Sequence, residues 1–246
     1  MRGLLQLIWL ETKIFLREPM GAIGMLVVPV FTYVFLGQMF SRGRPIANQA
    51  AFMNYVIPTF AAVMISINAV LSLVTIIAIY RESGILKRLR ATPLRPRTIL
   101  VAHVIVKLMF TAATLLLMAL AGKRYFPIGV RMPIVSFAAA LLLSTWSILA
   151  FGFVIASVVK TARFAQTAAG FVFYPMIGLS GLFFPVDRLP PVGRAIARLM
   201  PLTYVVSLLR GILEGEGWMA HLTDVGALLA VFLVSMVVTA RVFRWE

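Results

Sequence analysis

Three short patterns in this 246-residue sequence carry residue types that could do chemistry. Gly178-Leu179-Ser180-Gly181 sets a serine between glycines and His221 follows it along the chain, the parts of a nucleophile and a general base. Gly122-Lys123 is the sole Gly-Lys, the dipeptide that closes a phosphate-cradling Gly-x-x-x-x-Gly-Lys-Ser/Thr loop. Leu117 stands where the first glycine of such a loop belongs and Arg124 where its hydroxyl belongs, so that route to nucleotide binding is closed. His103 and His221 are far apart, with neither a His-Glu-x-x-His pattern nor a carboxylate cluster beside them, and the sequence offers no metal site. The absence of cysteine excludes a disulfide framework, thiolate metal sites and a cysteine nucleophile.

The elements that would hold these residues are set by composition. Hydrophobic residues make up 61% of the chain and charged residues 13%, against roughly 45–50% and 25% in a soluble domain. That excess cannot be hidden in one soluble core, and several apolar runs are about 20 residues long, enough to cross a bilayer. The pattern predicts an all-α integral membrane protein with about six transmembrane helices, near residues 21–40, 55–80, 98–121, 134–159, 164–184 and 222–243. The net charge of +15 comes from Lys and Arg in short segments between these runs, which reads as membrane topology and not as nucleic-acid binding. Lys and Arg are denser in the amino segment, residues 81–97, residues 160–163 and the carboxyl end than on the opposite side; this bias predicts both termini in the cytoplasm. Glu11, Lys13, Arg17 and Glu18 interrupt the amino terminus, unlike a cleavable signal peptide.

Three segments outside the spans carry structure of their own. In residues 1–20, Leu4, Leu5, Ile8, Phe15 and Leu16 fall on one side of a helix and Arg2, Lys13 and Arg17 on the other, the pattern of an amphipathic helix at the membrane interface. In residues 81–93, Ile85, Leu86 and Leu89 form a short apolar stripe among Lys87, Arg88 and Arg90, and Thr92-Pro93 ends the helix. In residues 185–221, Val192, Ile196 and Leu199 form a stripe with Arg194 and Arg198 nearly opposite, and the apolar piece 202–213 is too short to span. Interfacial helices or a re-entrant hairpin fit that stretch.

Within the spans, Lys107 lies deepest of the charges with His103 one turn away; it is either a functional intramembrane charge or a side chain that snorkels to the headgroups. Asn68, Ser72 and Thr75 share a face of the second span and either line a translocation path or join helices. Ser144, Thr145 and Ser147 read as packing residues, and Pro58 and Pro175 as kinks.

Certain motifs resemble those of a known family. Leu179-Ser180-Gly181-Leu182-Phe183-Phe184-Pro185-Val186, Leu189-Pro190-Pro191, Pro201-Leu202-Thr203-Tyr204 and Arg210-Gly211 resemble the signature of ABC-2-type transporter permeases. Arg81-Glu82-Ser83-Gly84 with Leu86, Leu89 and Thr92-Pro93-Leu94 resembles that family's cytoplasmic loop after the second span, and Leu16 to Pro19 its segment before the first. The resemblance is closest in feel to bacterial drug and antibiotic-resistance exporters. It implies the permease subunit of an ABC exporter in a bacterial or archaeal plasma membrane, carrying a drug, lipid or glycolipid-like substrate. It also implies a homodimer or heterodimer of permeases with the first and fifth spans near the seam. Two copies of a separate ATPase would bind ATP and Mg, and this chain would hold no cofactor. Arg81, Glu82, Gly84, Ile85, Leu86, Lys87, Arg88, Leu89 and Arg90 would then belong to a coupling helix docked on the ATPase, aided by the interface helix. Two alternatives stand beside it. A secondary transporter lacks buried carboxylates for ion coupling and an evident internal repeat. A rhomboid-like intramembrane protease matches Gly-x-Ser-Gly, but here Ser180 and His221 would sit on consecutive, antiparallel spans.

Overall fold

The protein, in a computed structural model, is described at residues 2–17, 19–41, 46–84, 96–125, 133–159, 161–182 and 186–242. Every regular element among the described residues is helical, as hydrocarbon demands of any segment that must satisfy its backbone amides internally without closing a barrel. In chain order these are α1 (Arg2–Arg17), α2 (Pro19–Ala22), a π-helical turn at Ile23–Val27, α3 (Val28–Ser41), α4 (Ile46–Ser66), a second π-helical turn at Ile67–Ser72 and α5 (Leu73–Glu82). They are followed by α6 (Pro96–Tyr125), α7 (Ile134–Val158), α8 (Ala162–Leu179), α9 (Pro191–Leu199), α10 (Pro201–Glu214) and α11 (Leu222–Val242), with 3-10 turns at Val186–Arg188 and Trp218–His221.

Among the described residues, four stretches are long and apolar enough to cross a membrane: Tyr55–Glu82, Val104–Gly122, Ile134–Val158 and Trp218–Val242. The bent pair α9 and α10, meeting at 84°, makes a fifth if counted as one broken span. The six expected spans are therefore matched in part. The first expected span holds a shorter apolar helix, Val28–Met39, and the fifth corresponds to α8, whose opening turns carry Arg163, Gln166 and Thr167 and dilute its apolarity.

The chain folds as two compact units, one of Met1–Phe60 with Leu86–Arg131 and one of Ala61–Ile85 with Met132–Glu246. In the first, α1 packs along α6. Phe15 is the contact: its ring centroid is 4.2 Å from that of Phe110, and Lys107 Nζ lies 5.2 Å from the Phe15 centroid, within cation–π range. Lys107, half-buried, thus rests on the face of a half-buried aromatic ring. Leu4, Leu7 and Ile8 of α1 are half-buried, whereas Leu5, Trp9, Leu10, Ile14 and Leu16 are exposed, a surface suited to lipid.

In the second unit α7 is the centre, packed against α11, α10, α5 and the second π-helical turn. Small residues let backbones meet there. A Cβ on Gly152 would lie 2.3 Å from the carbonyl oxygen of Ala69, so α7 touches the π-helical turn with no side chain between. Ser147 Oγ lies 2.9 Å from the carbonyl oxygens of both Leu143 and Leu228, sharing its proton between its own helix and α11. Helix α10 is buried through Leu202, Val205, Leu208 and Leu209. On α9, by contrast, Val192 and Leu199 face outward and Arg194 Nη2 folds back to the Asp187 carbonyl at 2.8 Å.

Candidate functional site

Helix α5 ends in a turn that its own sequence builds. The Ser83 N–H donates to the Ile79 carbonyl at 2.9 Å, and the Gly84 N–H to that of Arg81 at 3.2 Å. Gly84 has φ +69°, the left-handed geometry that a Cβ disfavours and that commonly redirects the chain after a helix. Just before this turn, Arg81 and Glu82 reach sideways to the junction of α7 and α8. Arg81 Nη1 donates to the Val159 carbonyl and, at 3.3 Å, to that of Ala156, among the last carbonyls of α7. Glu82 Oε2 accepts the Ala162 N–H at 2.8 Å, in the first turn of α8, where the Thr161 hydroxyl accepts the Phe164 N–H at 3.4 Å. Cation at a helix C-terminus and anion at a helix N-terminus each match the local dipole and fill orphan backbone groups. Of the residues expected to couple to an ATPase, Arg81, Glu82 and Gly84 meet here; Ile85, Leu86, Lys87, Arg88, Leu89 and Arg90 lie outside the described residues, as does the side chain of His103.

A groove of about 760 Å³ runs between the span that contains the second π-helical turn and α5, on one side, and α8 on the other. Ser72, Thr75, Gln166 and Thr167 give it hydroxyl and amide groups; Ile67, Leu71, Ile76 and Ile79 with Phe171 and Tyr174 give it an apolar and aromatic wall, and Gly170 leaves room. Among the described residues, no charged side chain lines it. Ser72 and Thr75 are two of the three residues expected to share a path-lining face, and Asn68 is not among the lining residues. The reason is local: i→i+5 bonding across Ile67–Ser72 adds a residue to the turn, so the spacing that aligns positions 68, 72 and 75 in an α-helix no longer does. Gln166 and Thr167 escaped the sequence reading. Their signal was present, since 166, 170 and 174 recur at the spacing of one helix face.

The nucleophile–base pair is not assembled. Ser180 is buried and its hydroxyl donates to the Ile177 carbonyl at 3.1 Å. Both ring nitrogens of His221 face carboxylates, Nδ1 at 2.8 Å from Asp224 Oδ2 and Nε2 at 2.7 Å from Glu216 Oε2; Asp224 Oδ2 also accepts from Ser207 at 2.8 Å. Gly211 admits this imidazole, since a Cβ there would sit 1.8 Å from Nε2. The other motif residues staple the same region. Thr203 Oγ1 and Tyr204 Oη donate to the Ala197 and Arg198 carbonyls, each at 2.6 Å, closing the last turn of α9, and Arg210 Nη2 reaches the Gly181 carbonyl at 3.4 Å.

A family model described as ABC-2 type transporter matches residues 2–213. Nodulation protein J of Rhizobium leguminosarum bv. trifolii is 34% identical over 80 residues, which cover 30% of this chain and 30% of that protein. Nodulation protein J of Rhizobium leguminosarum bv. viciae is 32% identical over 80 residues, covering 30% of this chain and 31% of that protein. Each match thus spans a minor part of both proteins.

Proposed function

Because the chain belongs to the ABC-2 type transporter family, and is a multi-pass membrane protein that serves as a transport component, we propose that it is the permease subunit of an ATP-driven exporter. In this reading it crosses the membrane six times with both termini in the cytoplasm, pairs with a second permease, and is driven by two copies of a separate ATPase that bind ATP and Mg. The substrate, a drug, lipid or glycolipid-like molecule, moves along the groove between Ser72 and Thr75 on one wall and Gln166, Thr167, Phe171 and Tyr174 on the other. That groove is the observation that carries the proposal. It offers neutral hydrogen-bonding groups beside aromatic and aliphatic surface, the combination that holds an amphipathic molecule in orientation. Among the described residues its lining contains no carboxylate, the group that proton or sodium coupling would use, which favours an external energy source over a secondary carrier. Ile85 to Arg90 would take the stroke from the ATPase.

The test exploits the absence of cysteine. The tagged chain, purified from its own membranes, should bring down an ATPase. A single cysteine at Thr75 should then change its alkylation rate by about threefold with Mg-ATP, whereas one at the exposed Val234 on α11 should not. Neither an ATPase in the complex nor any nucleotide response would remove the exporter reading.

A further inference from the structure

We propose that Arg81 and Glu82 act on the chain's own spans and not on the ATPase: they form a clamp that fixes the junction of α7 and α8, and so positions the α8 wall of the groove. The sequence reading put both residues at a partner contact. Their hydrogen bonds go to the chain's own backbone instead, to Ala156 and Val159 at the end of α7 and to Ala162 at the start of α8. Two consecutive side chains of opposite charge thereby hold the two ends of a tight inter-helix turn, each with the sign its helix terminus favours. Helix α5 is the opposite wall of the groove and supplies Thr75, Ile76 and Ile79, while α8 supplies Gln166 to Tyr174. Along their helices, Glu82 lies about one turn from the lining residue Ile79 and its partner Ala162 about one turn from the lining residue Gln166. A displacement of the end of α5 is therefore delivered to α8 through Glu82 and to α7 through Arg81, instead of being absorbed by the junction. These are positioning residues, and their role in transport rests on the reading of the groove as the path.

Amide hydrogen exchange on the purified full chain tests the clamp without nucleotide. Glu82→Ala should raise exchange over residues 162–165 roughly tenfold and leave α11 unchanged; Glu82→Gln, whose amide oxygen still accepts from Ala162, should return it toward the native rate. Native exchange in Glu82→Ala overturns the proposal. The second measurement reads position and not stability. In membranes with the ATPase bound, a cysteine at Thr167 should change its alkylation rate about threefold on addition of Mg-ATP, and one at Val234 on α11 should not. Arg81→Ala with Glu82→Ala should abolish this response while the ATPase stays bound, and Arg81→Lys with Glu82→Gln should restore it. A full response in the double alanine variant, or release of the ATPase by it, overturns the clamp. If the unaltered chain itself gives no response, it is the permease reading that fails, and hydrogen exchange alone decides the clamp.

Discussion

Substituting Gly152 by alanine places a methyl group 2.3 Å from the Ala69 carbonyl oxygen and 3.1 Å from its carbonyl carbon. Carbon and carbonyl oxygen ordinarily approach no closer than roughly 3.3 Å, so the backbones must part by about 1 Å. Backbone lies on both sides of this contact, and no rotamer change relieves it. The cost expected for overpacking of that kind is about 1–3 kcal/mol, or up to about a hundredfold in the folded fraction. Gly226→Ala on α11 is the control, because its added methyl meets nothing within 4 Å and should be neutral or slightly stabilising. Denaturant titration of the two purified variants in one detergent measures the difference. The displaced π-helical turn carries Ser72, so a cysteine at Ser72 should also change its alkylation rate in the Gly152→Ala background. The reasoning is refuted if Gly152→Ala matches Gly226→Ala in stability and leaves Ser72 cysteine reactivity unaltered.

Gly211→Ala should destabilise the corner of α10 and α11 by driving His221 from between Glu216 and Asp224; adding His221→Ala should recover part of that loss in the same titration, giving a coupling of at least about 0.5 kcal/mol. Additive losses would show that the two sites are independent. Ser180→Ala removes only a hydroxyl bonded to the Ile177 carbonyl, so stability should shift by less than about 1 kcal/mol and transport should persist; covalent labelling of Ser180 by a serine-directed probe would contradict the site geometry.

The bilayer class, a helix over the first 17 residues and the separation of the 192–199 stripe from the apolar piece 202–213 were legible because each is written in composition or periodicity. Gly84 was legible as a motif residue, and its positive φ supplies the reason. The π-helical turn was not: Ile67-Asn68-Ala69-Val70 is as apolar and as helical in pattern as its neighbours, and the extra residue per turn leaves no mark on composition. Reading Asn68, Ser72 and Thr75 as one face assumed 3.6 residues per turn throughout. Arg81 and Glu82 illustrate a different loss. A charge near a cytoplasmic loop has the same sequence signature whether it meets another protein or a neighbouring helix end, and backbone partners such as the Ala162 N–H and the Val159 carbonyl carry no side-chain signal at all. For Lys107, hydropathy exposed the problem of a deep charge but could not identify Phe15, distant in sequence, as the face beneath it.

The short, buried α10 also constrains the order in which the chain can be built into a membrane. Its 14 residues rise only about 21 Å, less than the roughly 30 Å of the hydrocarbon core, so lipid alone cannot retain it as a span. Its apolar side chains are covered instead by α7, α8 and α11, and α11 is synthesised after it. The turn from α9 is closed within residues 197–204 by Thr203 and Tyr204, whereas the cover of α10 is completed only by the later α11. A ribosome-bound chain halted before Leu222 would hold α10 without its final neighbour, so full burial of that helix requires α11.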